Sequence, residues 1–203
     1  LVGALALASS GCQSAEPTAV DTADPSQPIA PKLGAPRTIN LHAGATVGQW
    51  AEYVTGTGQP AWWWGVTGTR GDLLVVELRA FMPQGATFVE AYACEADGRV
   101  VEAFRGPFNP DGGTTPAQRV APDHEPDSLD DLVALDEGRV TLKAAGRDWE
   151  CSVKEGKAGQ RRGKAWVSEA GWFGGLIKSE SPGGVIKLNA IGTDAQPGLL
   201  LPD

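Results

Sequence analysis

The chain has 203 residues, and its 17 lysines and arginines against 25 aspartates and glutamates leave a net charge of -8. Most of its exterior therefore repels phosphate backbones and anionic lipid surfaces, which argues against nucleic acid as a partner. The length suits one domain burying roughly 70% of its unfolded surface, and 27 glycines, 15 prolines and seven tryptophans against one methionine point to short aromatic-bearing strands between many turns rather than a helix bundle.

The chain opens "LVGALALASSGCQS". Leu1–Ala8 is too short to span a bilayer, which takes about 20 apolar residues, and fits the apolar core of an export signal. Ser9, Ser10 and Gly11 are small enough for a signal peptidase, and Cys12 follows at once. This arrangement resembles the bacterial lipoprotein signal, in which the cysteine thiol receives a diacylglyceryl group and becomes the new amino terminus. An ordinary secretory signal with an incidental cysteine, or a buried N-terminal strand, is the alternative. Residues 1–11 are thus expected to be a signal-peptide remnant and Cys12 the lipidation site. The proline-punctuated stretch "SAEPTAVDTADPSQPIAPKLGAPR" (Ser14–Arg37) has no apolar periodicity to offset the entropy of folding. It reads as a tether reaching about 25 to 30 Å, so 12–37 form one unit with the lipidated cysteine. Gln13, in place of aspartate, implies by the same resemblance an outer-membrane destination, facing the periplasm or the cell surface.

Residues 38–196 carry strand patterns. Thr46–Val54 alternates. Asp72–Phe81 sets Leu74, Val76, Leu78 and Ala80 on one face and Leu73, Val75, Glu77 and Arg79 on the other. Thr87–Phe104 reads as a hairpin about a type I′ turn at Asp97-Gly98. Trp149, Cys151 and Val153 alternate with polar residues, and Ser181-Pro182-Gly183-Gly184 makes the last hairpin. One short helix is expected at Ser128–Leu135, where Ser128 can cap, Asp130 and Asp131 suit the positive end of the dipole, and Leu129, Leu132 and Val133 share a face. Before it, Gly106–Pro126 with its five prolines reads as a long loop, a lid or a disordered segment. Residues 197–203 read as a tail.

Gly138–Ala195, "GRVTLKAAGRDWECSVKEGKAGQRRGKAWVSEAGWFGGLIKSESPGGVIKLNAIGTDA", resembles the closing strands of exported half-barrel proteins of the LolA/LolB type. Val140, Ala145, Gly146, Trp149 and Cys151 fill a "V-x-A-G-x-F-x-C" pattern with four extra residues and Trp for Phe. Trp166 and Ser168 match "W-x-S", and Gly175, Leu176, Ile177 and Lys178 match "G-L-V-K" without its preceding proline. The resemblance implies a mainly β fold: a single curved antiparallel sheet, a half-barrel, wrapped around an apolar concavity.

Among site candidates, Cys94 and Cys151 lie in expected strands of an exported protein, where disulfides persist; they either bridge or pack as buried thiols. In "AWWWGVTG" (Ala61–Gly68) a strand puts Trp62 and Trp64 on one face and Trp63 on the other. The odd ring must be covered by lid or linker, line a cavity, or touch lipid or a partner, and all three are candidate contacts to a hydrophobic ligand. Enzyme signatures are weak. His42 and His124 have no metal-ligand spacing. "GTGQPA" (Gly56–Ala61) cannot lead into the helix a dinucleotide needs, because Pro60 and the tryptophan strand follow. "GQRRGK" (Gly159–Lys164) is one residue short of a phosphate loop and reads as a basic hairpin tip. Asp123, Glu125, Asp127, Asp130 and Asp131 lack the regular spacing of a calcium loop. The expectation is a non-catalytic envelope lipoprotein without cofactor or metal, attached to the membrane through Cys12 and carrying a lipid-like ligand. The alternative is a scaffold or interaction lipoprotein with a packed interior.

Overall fold

The computed structural model describes residues 35–82, 87–124, 133–158 and 161–203. The signal remnant, Cys12 and nearly all of the tether lie outside them. In chain order the strands are β1 (Ala35–Pro36), β2 (Trp50–Thr55), β3 (Pro60–Arg70), β4 (Leu73–Phe81), β5 (Thr87–Cys94), β6 (Val100–Pro107), β7 (Thr115–Pro116) and β8 (Gln118–Val120). There follow β9 (Pro122–His124), β10 (Val133–Ala144), β11 (Arg147–Ala158), β12 (Arg161–Val167), β13 (Leu176–Ser181), β14 (Gly184–Gly192) and β15 (Leu199–Leu200).

Eleven of these strands form one antiparallel sheet, in the order β10-β11-β12-β13-β14-β2-β3-β4-β5-β6-β8. It is two meanders joined at the middle, where β14 returns to pair with β2. The alternating patterns of the sequence explain the register. Rows Tyr53–Trp62–Ala80–Phe88 and Ala51–Trp64–Leu78–Glu90 lie on one face, here the first; Glu52–Trp63–Arg79–Val89 and Trp50–Gly65–Glu77–Ala91 lie on the second.

Both faces of the β4–β6 region are buried. Val66, Val76, Tyr92, Cys94 and Ala103 form one cluster on the first face, roofed by Ala35 and Ile39. Ala51, Tyr53, Trp149, Cys151, Ile177 and Leu188 form a second, and Trp64 and Phe173 touch both. On the second face Val75, Val89, Ala91, Ala93 and Phe104 are covered by Leu199.

Turn chemistry accounts for the hairpins. Ala144 pairs with Arg147, and the two residues between, Ala145 and Gly146, have φ of 47° and 74°, the double left-handed geometry of a type I′ turn. Ser181 pairs with Gly184 around Pro182-Gly183, as the sequence indicated. The Asp97-Gly98 turn differs from type I′: only Gly98 is left-handed, at φ 88°. The Gly98 N–H donates to Glu95 O at 2.9 Å and the Glu95 N–H to Arg99 O at 3.0 Å, a wider loop than a two-residue turn. The cause is tertiary, because the Ile39 N–H donates to Gly98 O at 2.9 Å and a Cβ on Gly98 would sit 2.0 Å from Ile39 O.

Three further expectations are corrected. The described part of the helix expected at Ser128–Leu135 is strand: Val133 and Ala134 pair with Glu155 and Lys154, so ladder pairing outweighs a weak local helix preference. Ser128–Leu132 lie outside the described residues, and no α-helix occurs among those described. Gly106–Pro126, as far as His124, is not a free lid but is tied into ladders. β7 pairs with β15, β8 edges the main sheet, and β9 pairs with β1. Pro116 and Pro122 sit in these two- and three-residue peripheral strands, where a missing N–H costs little. Cys94 and Cys151 are free thiols. They belong to separate clusters on β5 and β11, with six strands between them in the sheet, so the bridge is not made.

Candidate functional site

The tryptophan run divides as its alternation requires. On the first face Trp62 lies 6.3 Å from Tyr53. Trp64 sits between Tyr92, at 6.3 Å, and Phe173, at 6.2 Å with the rings nearly parallel. Both rings are only partly buried. Trp63, on the second face, has the Arg79 guanidinium 3.9 Å above its ring. It lies over Gly65, where a Cβ would come within 2.2 Å of it. With Arg79 stacked on it, Trp63 forms part of a polar latch.

That latch holds the last ten or so residues across the second face. Glu77, 1% exposed, accepts from the Gly198 N–H at 2.9 and 3.0 Å and from the Leu199 N–H at 3.2 Å. Arg79 Nη2 donates to Gln196 O at 2.6 Å and to Glu77 at 3.3 Å, and Trp50 Nε1 donates to Asp194 at 2.7 Å. The pattern "LLVVELRAF" (Leu73–Phe81) placed Glu77 and Arg79 on one face but carried no sign of what they would hold. Their partners come from the opposite end of the chain.

Several residues of the first-face site were not legible beforehand. Phe173 opens a 3-10 turn, Phe173–Gly175, in the connection from β12 to β13. Its ring packs against both clusters and meets His42 edge-on at 5.9 Å, while Trp172 stacks on His42 at 5.7 Å. His42 Nε2 donates a hydrogen bond to Gln49 Oε1, 3.1 Å away. Burial holds its pKa below the ordinary value, and the Gln49 bond opposes that shift in part. The sequence signal was present in "WFGG", an aromatic pair followed by two residues able to take left-handed backbone. Deeper on the same face, Glu90 binds Tyr92 Oη and Arg105, whose Nε lies at 2.9 Å. Burial, then the Glu90 charge, raises the Tyr92 phenol well above its usual pKa.

A polar cleft of about 430 Å³ lies over β10–β12, lined by Arg139, Arg147, Asp148, Glu150, Ser152 and Glu169 around a floor of Trp149 and Cys151. Arg147 lies 3.6 Å over the Trp149 ring, which fills the stacking face a sugar or base would need. The cleft is a different place from Trp62, Trp63 and Trp64. Burial pushes the Cys94 thiol up to about 12 and also raises that of Cys151, so neither is a nucleophile near neutral pH. Gly159 and Gln160 of the basic tip, and Glu125, Asp127, Asp130 and Asp131 of the acidic run, lie outside the described residues, as does Cys12. Among the described residues no three His, Cys, Asp or Glu side chains gather to hold a metal ion. No protein-family model matches the sequence, and no curated protein matches it.

Proposed function

We propose that this protein is a non-catalytic envelope lipoprotein, anchored through acylated Cys12, whose β body holds a lipid-like ligand against the first face of its sheet. One observation carries the reading. Trp62, Trp64, Trp166, Phe173, Leu176 and Ile186 all reach the apolar clusters yet keep part of their surface in water. A contiguous run of large apolar groups left incompletely covered is the usual mark of a binding surface. In this reading the sheet bends into a half-barrel, consistent with β10 lying near β14 although three strands separate them in the sheet. The first face is then the inner one.

The second reading, a scaffold with a packed interior, is favoured by the Phe173 ring, which fills the junction of the two clusters. Two measurements decide. The protein is purified from membranes and its amino-terminal peptide analysed by mass spectrometry, with Cys12→Ser as control; acylation is expected on Cys12, and a free thiol there removes the anchor. The Cys12→Ser protein is then extracted with solvent after mild purification. A stoichiometric lipid supports carriage, and an empty extract combined with no uptake of a fluorescent fatty acid leaves the scaffold.

A further inference from the structure

The loop Ser168–Gly175 is built unlike the other connections in the sheet. The Ser168 N–H donates to Gly175 O at 2.8 Å and the Gly171 N–H to Ser168 O at 3.0 Å, closing the loop at its base. A Cβ on Gly171 would lie 2.7 Å from Gly175 Cα, and one on Gly175 2.2 Å from Ser168 O, so the two limbs meet at glycines. Within that base, three successive residues take left-handed backbone: Phe173 at φ 49°, Gly174 at 79° and Gly175 at 70°. For the two glycines this is cheap. For a phenylalanine it is a strained conformation.

The strained residue is also the one whose side chain goes inward. Its ring stacks on Trp64 at 6.2 Å and bridges the apolar clusters. What retains the ring is contact with Trp64 and the clusters and, edge-on, with His42. The ring is only partly buried, so it gains less than full burial would give. Backbone strain therefore offsets much of what the ring gains. A segment balanced in this way moves readily once something else can fill its slot.

We propose that Ser168–Gly175 is a gate, and that Phe173 occupies in the closed state the place taken by an unbranched acyl chain when the loop withdraws. The inference rests on the ligand-binding reading above and adds its regulation. An acyl chain suits the slot because its walls are mostly apolar, the ring of Trp64 and the two clusters, with the His42 ring edge-on as a polar neighbour. When the chain enters, its methylenes replace the ring's contacts and the backbone at Phe173 relaxes to ordinary φ. The closed gate lowers apparent affinity by the fraction of molecules that are open.

The test uses the full chain and 11-(dansylamino)undecanoic acid, read by energy transfer from tryptophan. Phe173→Gly removes the plug and suits the left-handed backbone, so it folds; Phe173→Leu keeps an apolar plug. The expected result is binding by the wild type, about 10-fold tighter binding by Phe173→Gly, and little change in Phe173→Leu. In addition, chymotrypsin is expected to cut the wild type after Trp172 or Phe173 faster when palmitate is present. Binding by the wild type with no gain in Phe173→Gly, or with palmitate protecting the loop, overturns the gate and leaves the ligand reading standing. No binding by any of the three overturns both.

Discussion

The carboxylate of Glu77 offers the sharpest test of how the two ends of the chain are joined. Replacing it by alanine strands two backbone donors, at Gly198 and Leu199, and leaves Arg79 without its anionic neighbour. A buried donor left without a partner costs about 1 to 3 kcal/mol, and breaking a buried charged pair costs about 3 to 5. Arg79 keeps Gln196 O and the Trp63 face, and the C-terminal segment can peel away, so the cost is capped by what its docking is worth. Burial of Leu199 sets most of that cap, at about 1.5 to 3 kcal/mol. The expected loss for Glu77→Ala is thus about 3 kcal/mol, or about 6 to 12 °C in melting temperature for a domain of this size. Urea unfolding of wild type, Glu77→Ala, a chain ending at Gln196, and the combination measures it. Because Glu77 acts through the segment, the combined variant is expected to be no less stable than the truncated one. Additive losses would show that Glu77 stabilises the sheet independently of the segment, and the latch argument would be wrong.

Three further outcomes follow from backbone and burial. Ala145→Asn is expected to stabilise the protein by about 0.5 to 1 kcal/mol in urea, because Asn-Gly suits the left-handed pair at Ala145-Gly146 better than Ala-Gly does; a loss there would mean that the Ala145 methyl matters more than its φ. Gly98→Ala combines a φ of 88° with a Cβ 2.0 Å from Ile39 O and is expected to cost more than about 2 kcal/mol, whereas Gly112→Ala, with open space around it, is expected to cost about 1 from strain alone. Stability is expected to hold near neutrality and fall as pH rises above about 9. The Cys94 thiol has its pKa raised from 9.0 to about 12, and burial also raises Cys151, Tyr53 and Tyr92. The native state keeps protons there that the unfolded chain gives up, with a slope of about 1.4 kcal/mol per pH unit per group. Urea midpoints from pH 7 to 11 check this, and a midpoint that rises above pH 9 contradicts the burial of these groups.

The strands were legible because their pattern is local. Tyr53, Trp62, Leu78 and Val76 declare a face through period-two alternation alone, and Ser181-Pro182-Gly183-Gly184 declares its turn. What escaped was set by distant parts of the chain. Asp97-Gly98 reads as a two-residue turn until Ile39 arrives to bond Gly98 O. Val133–Leu135 reads as the end of a helix until β11 offers a ladder. The proline-rich run reads as loose until Leu199 and Leu200 pair with Thr115 and Pro116. Of the candidate site, the tryptophans were visible and their division between faces followed. Phe173 was hidden, because its inward ring depends on a left-handed backbone held by Ser168 and Gly175.

The charge of the body bears on how a ligand would reach the first face. At -8 overall the chain is pushed away from an anionic leaflet, and attraction of that kind is worth about 1 kcal/mol only for each basic group near the surface. In the proposed anchored form the body therefore stays within range of the bilayer without lying flat on it. Direct partition of Trp62, Trp64 and Trp166 into the lipid would need the sheet to open against that repulsion. Admission of one acyl chain past Phe173 does not, since the chain comes to the protein and the charged exterior stays in water. The two routes separate experimentally: at low ionic strength, adding anionic lipid to neutral vesicles weakens surface partition of the Cys12→Ser protein, while uptake of a single monomeric fatty acid by the same protein is left unchanged.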